Sequence, residues 1–214
     1  MMIIIFSYIS NKIIKHIVLK YYILKFFNKI DMKENIKLYA VYLGGRADGC
    51  NTELHDVVFT CGNKIEDTYM DLLDKWFGNV DRLHIDSWVE INHVDGYKVS
   101  LSSKKNISKS KLFFINLGGY DKNKFEELHE SEFLVGEKKI LIKKRAKEVL
   151  MKGLYQVHTD DLYDVDDCIE INKVSDFFIN LNKDDNINET LKYNNGYHPI
   201  PKKIIEKYKS LTGD

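Results

Sequence analysis

The chain has 214 residues, 44% of them apolar, with 32 basic residues balanced by 32 acidic ones. That is room for one ordinary domain or two small ones with a real core, and it excludes wholesale disorder. The balanced charge leaves no basic excess to neutralise phosphates, so nucleic acid is not an expected partner. The cysteines, Cys50, Cys61 and Cys168, are odd in number and form no Cys-x-x-Cys pair. This argues against a disulfide framework or a structural zinc knuckle, and for a reducing, cytoplasmic setting.

Residues 1–31 are strongly apolar but carry Lys12, Lys15, Lys20, Lys25 and Lys29 against Asp31 alone. The rest of the chain is therefore mildly acidic. The lysines leave no apolar run near the ~18–20 residues a spanning helix needs. No small-residue cleavage site follows a clean apolar stretch either. Three readings stand: a basic amphipathic helix on a membrane surface, an extra helix covering the domain, or an untranslated leader with initiation at Met32. The third is favoured, because composition shifts sharply at Met32, just before the first clear strand. Membrane contact is expected only if residues 1–31 are translated.

From Lys37 the chain repeats itself. Displaced by 74 residues, Leu43-Gly44-Gly45 falls on Leu117-Gly118-Gly119, and Glu53-Leu54-His55 falls on Glu127-Leu128-His129. Gly62 meets Gly136, His84 meets His158, and Asp86 meets Asp160. About a quarter of positions 37–86 are identical in that register. After a six-residue insertion in the second copy, "VDGYKVSLS" continues the match with "VSDFFINLN". The chain reads as a duplicated domain.

In chain order, "KLYAVYL" is apolar on both parities, as a doubly buried strand would be. The glycine pair after it reads as a tight turn. "HDVVFTCG" alternates as a second strand. "IEDTYMDLLDKWFG" places Ile65, Tyr69, Leu72, Leu73 and Trp76 on one helical stripe, with Gly78 as its C-terminal cap. "LHIDSWVEI" is a third strand, and "VDG" signals a hairpin into "YKVSLS". The second copy repeats the order, its helix running through "ILIKKRAKEVLMKG". The expected fold is α+β: two tandem β-β-α-β-β repeats, residues 36–104 and 110–182, packed as a pseudo-twofold unit with mainly antiparallel sheet. Residues 183–214 add a polar loop over 183–198 and a short C-terminal helix introduced by Pro199 and Pro201. Ile204, Ile205, Tyr208 and Leu211 form the apolar stripe of that helix. A monomer with internal pseudo-symmetry and a homodimer both fit.

Candidate chemistry follows the repeated polar residues. His55 and His129 precede strands on the parity of the apolar face. Each is an interior histidine bonded to a carbonyl or to Glu53 or Glu127, or else an acid/base group or ligand at a strand mouth. "HIDSW" and "HTDDL" set His84 beside Asp86, and His158 beside Asp160, two apart on a strand and so on one side of it. Such pairs suit a divalent metal, the one cofactor the sequence suggests, or a base with an orienting acid. A solvated strand face with local ion pairs is the plainer and preferred reading of the same letters. No Gly-x-Ser-x-Gly or His-Glu-x-x-His motif is present. Cys50, in a loop near His55, is a weak Cys/His candidate.

The segments "KLYAVYLGGRADGCNTELHDVVF", "IEDTYMDLLDKWFG", "LHIDSWVEINHVDGYKVSLS", "KLFFINLGGY", "HTDDLYDVDDC" and "NNGYHPI" resemble the bacterial family known only as domain of unknown function 1543. The resemblance spans roughly residues 36–200, takes in both copies and leaves out residues 1–31. It implies a small soluble bacterial protein and brings no activity, substrate or catalytic residue with it. The functional expectation is a non-enzymatic binding or interaction module for a small molecule or protein. The alternative is a metal-dependent or His/Asp acid-base enzyme using the repeated His-x-Asp pairs.

Overall fold

The computed structural model describes residues 36–105, 107–150, 156–157 (backbone only), 167–184 and 190–213. In chain order the elements are β1 (Lys37–Arg46), β2 (Leu54–Gly62), a 3-10 turn (Ile65–Thr68) running into α1 (Tyr69–Lys75), β3 (Asn79–Glu90), β4 (His93–Val94), β5 (Tyr97–Ser102), β6 (Lys111–Tyr120), β7 (Leu128–Gly136), α2 (Lys139–Val149), β8 (Gln156–Val157), β9 (Asp167–Ile171), β10 (Lys173–Val174), β11 (Phe177–Lys183), β12 (Tyr193–Pro199) and α3 (Lys202–Thr212). Every described strand pairing is antiparallel. The fold is the expected α+β one: the first copy runs β-β-α-β and then a hairpin, and the second runs β-β-α, the strands β8 and β9, and then a hairpin. The chain forms two compact units, one from the part ending at Glu90 together with Lys192 onward, the other from Ile91–Leu191.

In the first unit the strand order is β12-β3-β1-β2. Tyr39, Val41 and Leu43 of β1 and Leu83 and Ile85 of β3 point to one face. They pack there against Leu72 and Leu73 of α1, Trp76 just beyond it, and Ile205 and Tyr208 of α3. The stripe read in the C-terminal helix is thus the one that docks, with Ile204 and Leu211 at its margins. Fully burying one such side chain is worth about 1.5–3 kcal/mol. Buried Thr60 donates to Asp71 of α1 at 2.7 Å, which ties β2 to the helix without leaving a hydroxyl unpaired.

Three local expectations are corrected. Gly44 and Gly45 are not a turn: β1 runs through both of them to Arg46, and neither has positive φ. Gly78 does not cap α1, which ends when Trp76 turns extended while its N–H still bonds Leu72. Residues 193–199, read as part of a polar loop, form β12 and pair with β3. Their polar composition hid the strand: none of its side chains is buried, and backbone pairing with β3 carries it.

In the second unit β6 is flanked by β7 on one side and by β8 and β9 on the other. Phe113, Ile115 and Leu117 of β6 pack on Ile142 and Ala146 of α2 and on Leu150. These are the positions that Tyr39, Val41, Leu43, Thr68, Leu72 and Trp76 hold in the first copy. The two hairpins form a separate sheet of order β10-β11-β5-β4. There Ser100 lies opposite Asn180, its own counterpart in the second copy, with Val99 opposite Leu181 and Leu101 opposite Ile179. That register is a local twofold. Asp95, at φ 52 in the first hairpin turn, accepts the Val135 N–H at 2.6 Å and pairs with the Arg145 guanidinium, fastening its hairpin to β7 and α2.

Candidate functional site

The repeated letters of the first copy converge on the sheet face opposite α1 and α3. The cause is register. Gly44 of β1 lies directly opposite His55 of β2 on one side and His84 of β3 on the other. Residues so opposed share a face, so both imidazoles project over the place where residue 44 would carry a side chain. A Cβ at Gly44 would overlap Asp86 Oδ2 and lie 2.6 Å from His84 Nε2. A side chain here would have to displace the ends of Asp86 and His84, so what the glycine supplies is space rather than a special backbone conformation.

Asp86 reaches the same spot through a β-bulge. Leu43 pairs with Ile85 and Tyr42 with Ser87, so Asp86 is the extra residue on β3. A bulge of this kind re-aims a side chain. The Asp86 carboxylate now bridges two imidazoles, with Oδ1 3.3 Å from His84 Nε2 and Oδ2 3.3 Å from His55 Nε2. Glu53, just before β2, completes the group, its Oε1 3.3 Å from His84 Nε2 and its Oε2 4.0 Å from His55 Nε2.

The environments of the four groups differ. His84 is 4% exposed, whereas the side chains of Asp86, His55 and Glu53 are 29%, 38% and 44% exposed. One imidazole is thus enclosed and the other open to solvent. His84 Nδ1 lies 3.1 Å from the Arg82 carbonyl. A carbonyl can only accept, so Nδ1 is the donor there and carries a proton, and Nε2 is the nitrogen that meets the two carboxylates. Asp86 Oδ2 is buried and has no hydrogen-bond donor in good geometry. Two tyrosines frame the group: Tyr42 stacks on His55 at 5.2 Å and 13°, and Tyr197 of β12 leans on His84 at 4.5 Å and 47°. Burial, and then the Asp86 charge, push the Tyr42 phenol above its ordinary value, so Tyr42 is a neutral wall.

Of the sequence candidates, His55, His84 and Asp86 are brought together. His129 of the second copy again lies opposite a glycine, Gly118, with its Nε2 3.9 Å from Glu127. Asn116 stands where Tyr42 stands in the first copy, and it accepts the Ser131 hydroxyl at 3.0 Å. His158 and Asp160 lie outside the described residues. Among the described residues, no three or more His, Cys, Asp or Glu side chains are grouped so as to hold a metal ion. The contacts run pairwise, nitrogen to oxygen. Cys50 is partly exposed and forms no disulfide.

Glu53, Gly44, Tyr42 and Tyr197 were not read as site residues. Glu53 and Gly44 had a signal, since both recur in the second copy as Glu127 and Gly118. Tyr197 had none, because its place depends on β12 returning to β3 from more than a hundred residues away.

Together the fold and the cluster define a duplicated α+β domain whose first copy holds a half-enclosed His/carboxylate site. The family described as Domain of Unknown Function (DUF1543) matches the chain twice, at residues 50–101 and 124–174. Among solved structures it is similar to the crystal structure of protein Il1583 from Idiomarina loihiensis. That likeness has 28% identity and a TM-score of 0.59, over 78% of this chain and 99% of that one. No curated protein matches the chain. No helix among the described residues is long and apolar enough to cross a membrane.

Proposed function

We propose that the first copy carries a general acid-base site acting on a small polar molecule, with His84 as the proton-transferring group. The observation that carries this is the Asp86 carboxylate set between two imidazole Nε2 atoms, with its Oδ2 buried and without a donor. Under this assignment His84, oriented by the Arg82 carbonyl, takes or gives a proton at Nε2. Asp86 holds the ring and compensates the charge that the ring gains. Half-exposed His55, on the same carboxylate, passes the proton to solvent or to the substrate, and Glu53 lines the open side. Imidazole suits this role because its ordinary titration lies close to neutral pH.

The test compares wild-type protein with H84N and D86N on a panel of p-nitrophenyl esters, phosphates and glycosides. The expected outcome is turnover by the wild type that falls about a hundredfold or more in each variant, the size of a general acid-base contribution. Turnover that survives both substitutions removes the assignment. Turnover abolished by a chelator and restored by a divalent metal would put a cation at the cluster instead.

A second reading, a non-enzymatic binding module, is favoured by the loops before β2 and β7. The same turn closes both, Cys50 N–H on the Ala47 carbonyl at 3.2 Å and Lys124 N–H on the Asp121 carbonyl at 2.9 Å. One presents Ala-Asp-Gly-Cys and the other Asp-Lys-Asn-Lys, and loops on a fixed scaffold are where specificity varies. A ligand whose affinity is unmoved by H84N and lost on exchanging these loops would support it.

A further inference from the structure

We propose that Tyr197 is a positioning residue for His84, delivered by a second bulge built for that purpose into the C-terminal strand. This deepens the acid-base assignment and rests on it for its functional meaning. On β12, Asn195 pairs with Ser87 and His198 with Ile85. Gly196 and Tyr197 therefore lie opposite Asp86 alone, so β12 carries an extra residue where β3 carries its own. Gly196 is at φ +145, a conformation that residues with a side chain rarely adopt. The strand is anchored on both sides of this point. The Ser87 hydroxyl donates to Asn195 Oδ1 at 2.6 Å, and His198 meets the Trp88 ring edge-on at 4.6 Å.

Between those anchors the bulge turns Tyr197 out of the alternation and sets its ring 4.5 Å from the His84 imidazole. Tyr197 itself is 71% exposed, so it is not there to fill the core. An exposed aromatic ring held against a nearly buried imidazole, by a glycine in a backbone conformation that only glycine readily adopts, is a local device. It holds the ring plane that keeps Nδ1–H on the Arg82 carbonyl and Nε2 on Asp86 and Glu53, and it keeps water off the inner edge. In the second copy no described strand pairs with β9 on its outer side, so this device belongs to the first copy among the described residues.

The experiment uses full-length protein labelled with 15N-histidine, observed by NMR as wild type, Y197A and Y197F. In Y197A the His84 ring signals are expected to move, and the Nδ1–H proton to exchange with water about tenfold faster or more, as local opening becomes easier. Y197F, which keeps the ring and loses the hydroxyl, is expected to stay within about twofold of wild type. His84 signals and exchange unchanged in Y197A would overturn the proposal. If Y197A does not fold, G196A gives the same readout, since it displaces the bulge and leaves the Tyr197 side chain intact. The readout is the His84 proton itself. Failure of the acid-base assignment in the turnover panel is therefore distinguishable from failure of this one.

Discussion

At the residue scale, Gly44 decides whether the site exists. A methyl group there meets Asp86 and His84 at distances that real side chains do not tolerate. G44A is therefore expected to cost about 1–3 kcal/mol, the range for overpacking, and to separate the imidazoles. Urea unfolding measures the first effect and histidine NMR the second. A change within about 0.5 kcal/mol, as for an ordinary surface position, would contradict the account. The sequence marked this glycine by repeating it but did not say why. Its reason is the cross-strand position of two histidines, and that appears only once β1, β2 and β3 are in register. The cysteines are simpler. Cys61 and Cys168 are buried, and burial pushes the Cys168 thiol up, while Cys50 is partly exposed. A thiol reagent on native protein is expected to label Cys50 alone of the three; rapid loss of more than one thiol would count against the packing.

At the element scale, strand identity within the repeats was legible from alternation and the repeat, whereas pairing was not. The hairpin after "VDG" was readable, but not that it would pair with its own counterpart instead of staying on its repeat's sheet. The bulge at Asp86 was equally hidden, since "HIDSW" keeps a plain two-residue period in sequence. One feature recurs in both copies and can be tested by pH: Lys37 pairs with Glu90 at 2.8 Å, and Lys111 with Glu170 at 2.7 Å. Burial raises the Glu170 carboxyl, but hydrogen bonds from Lys111 and Asn172 outweigh it and hold the group below its ordinary value. A carboxyl depressed in the folded state adds stability above its unfolded value and loses it as pH falls through the folded one. K111M is therefore expected to flatten the acid limb of the stability-pH curve, by no more than about 1 kcal/mol for so exposed a pair. An acid limb identical to wild type would show that the pair contributes nothing.

At the scale of the whole molecule, the duplication gives each copy the same scaffold, and the chain then treats the copies differently. The first receives β12 and α3 from the far end of the chain, which places Tyr197 on its site and Ile205 and Tyr208 in its core. Deleting residues 192–214 is expected to unfold the first unit, because each buried side chain so removed is worth about 1.5–3 kcal/mol. Loss of the dispersed Trp76 and Trp88 indole signals would report it, and their retention would contradict the dependence. The sequence showed the C-terminal helix and its stripe, but the strand before it was concealed by polar letters, and with it half of the frame around His84.

The most direct test of the central claim, that His84, Asp86, His55 and Glu53 form one proton-handling group, is the protonation pattern of the histidine rings. In 15N-histidine spectra, His84 is predicted to carry a proton on Nδ1, held there by the Arg82 carbonyl. D86N is predicted to move the Nε2 signals of both His84 and His55. A bare Nδ1 on His84, or a D86N spectrum in which neither ring responds, would contradict it.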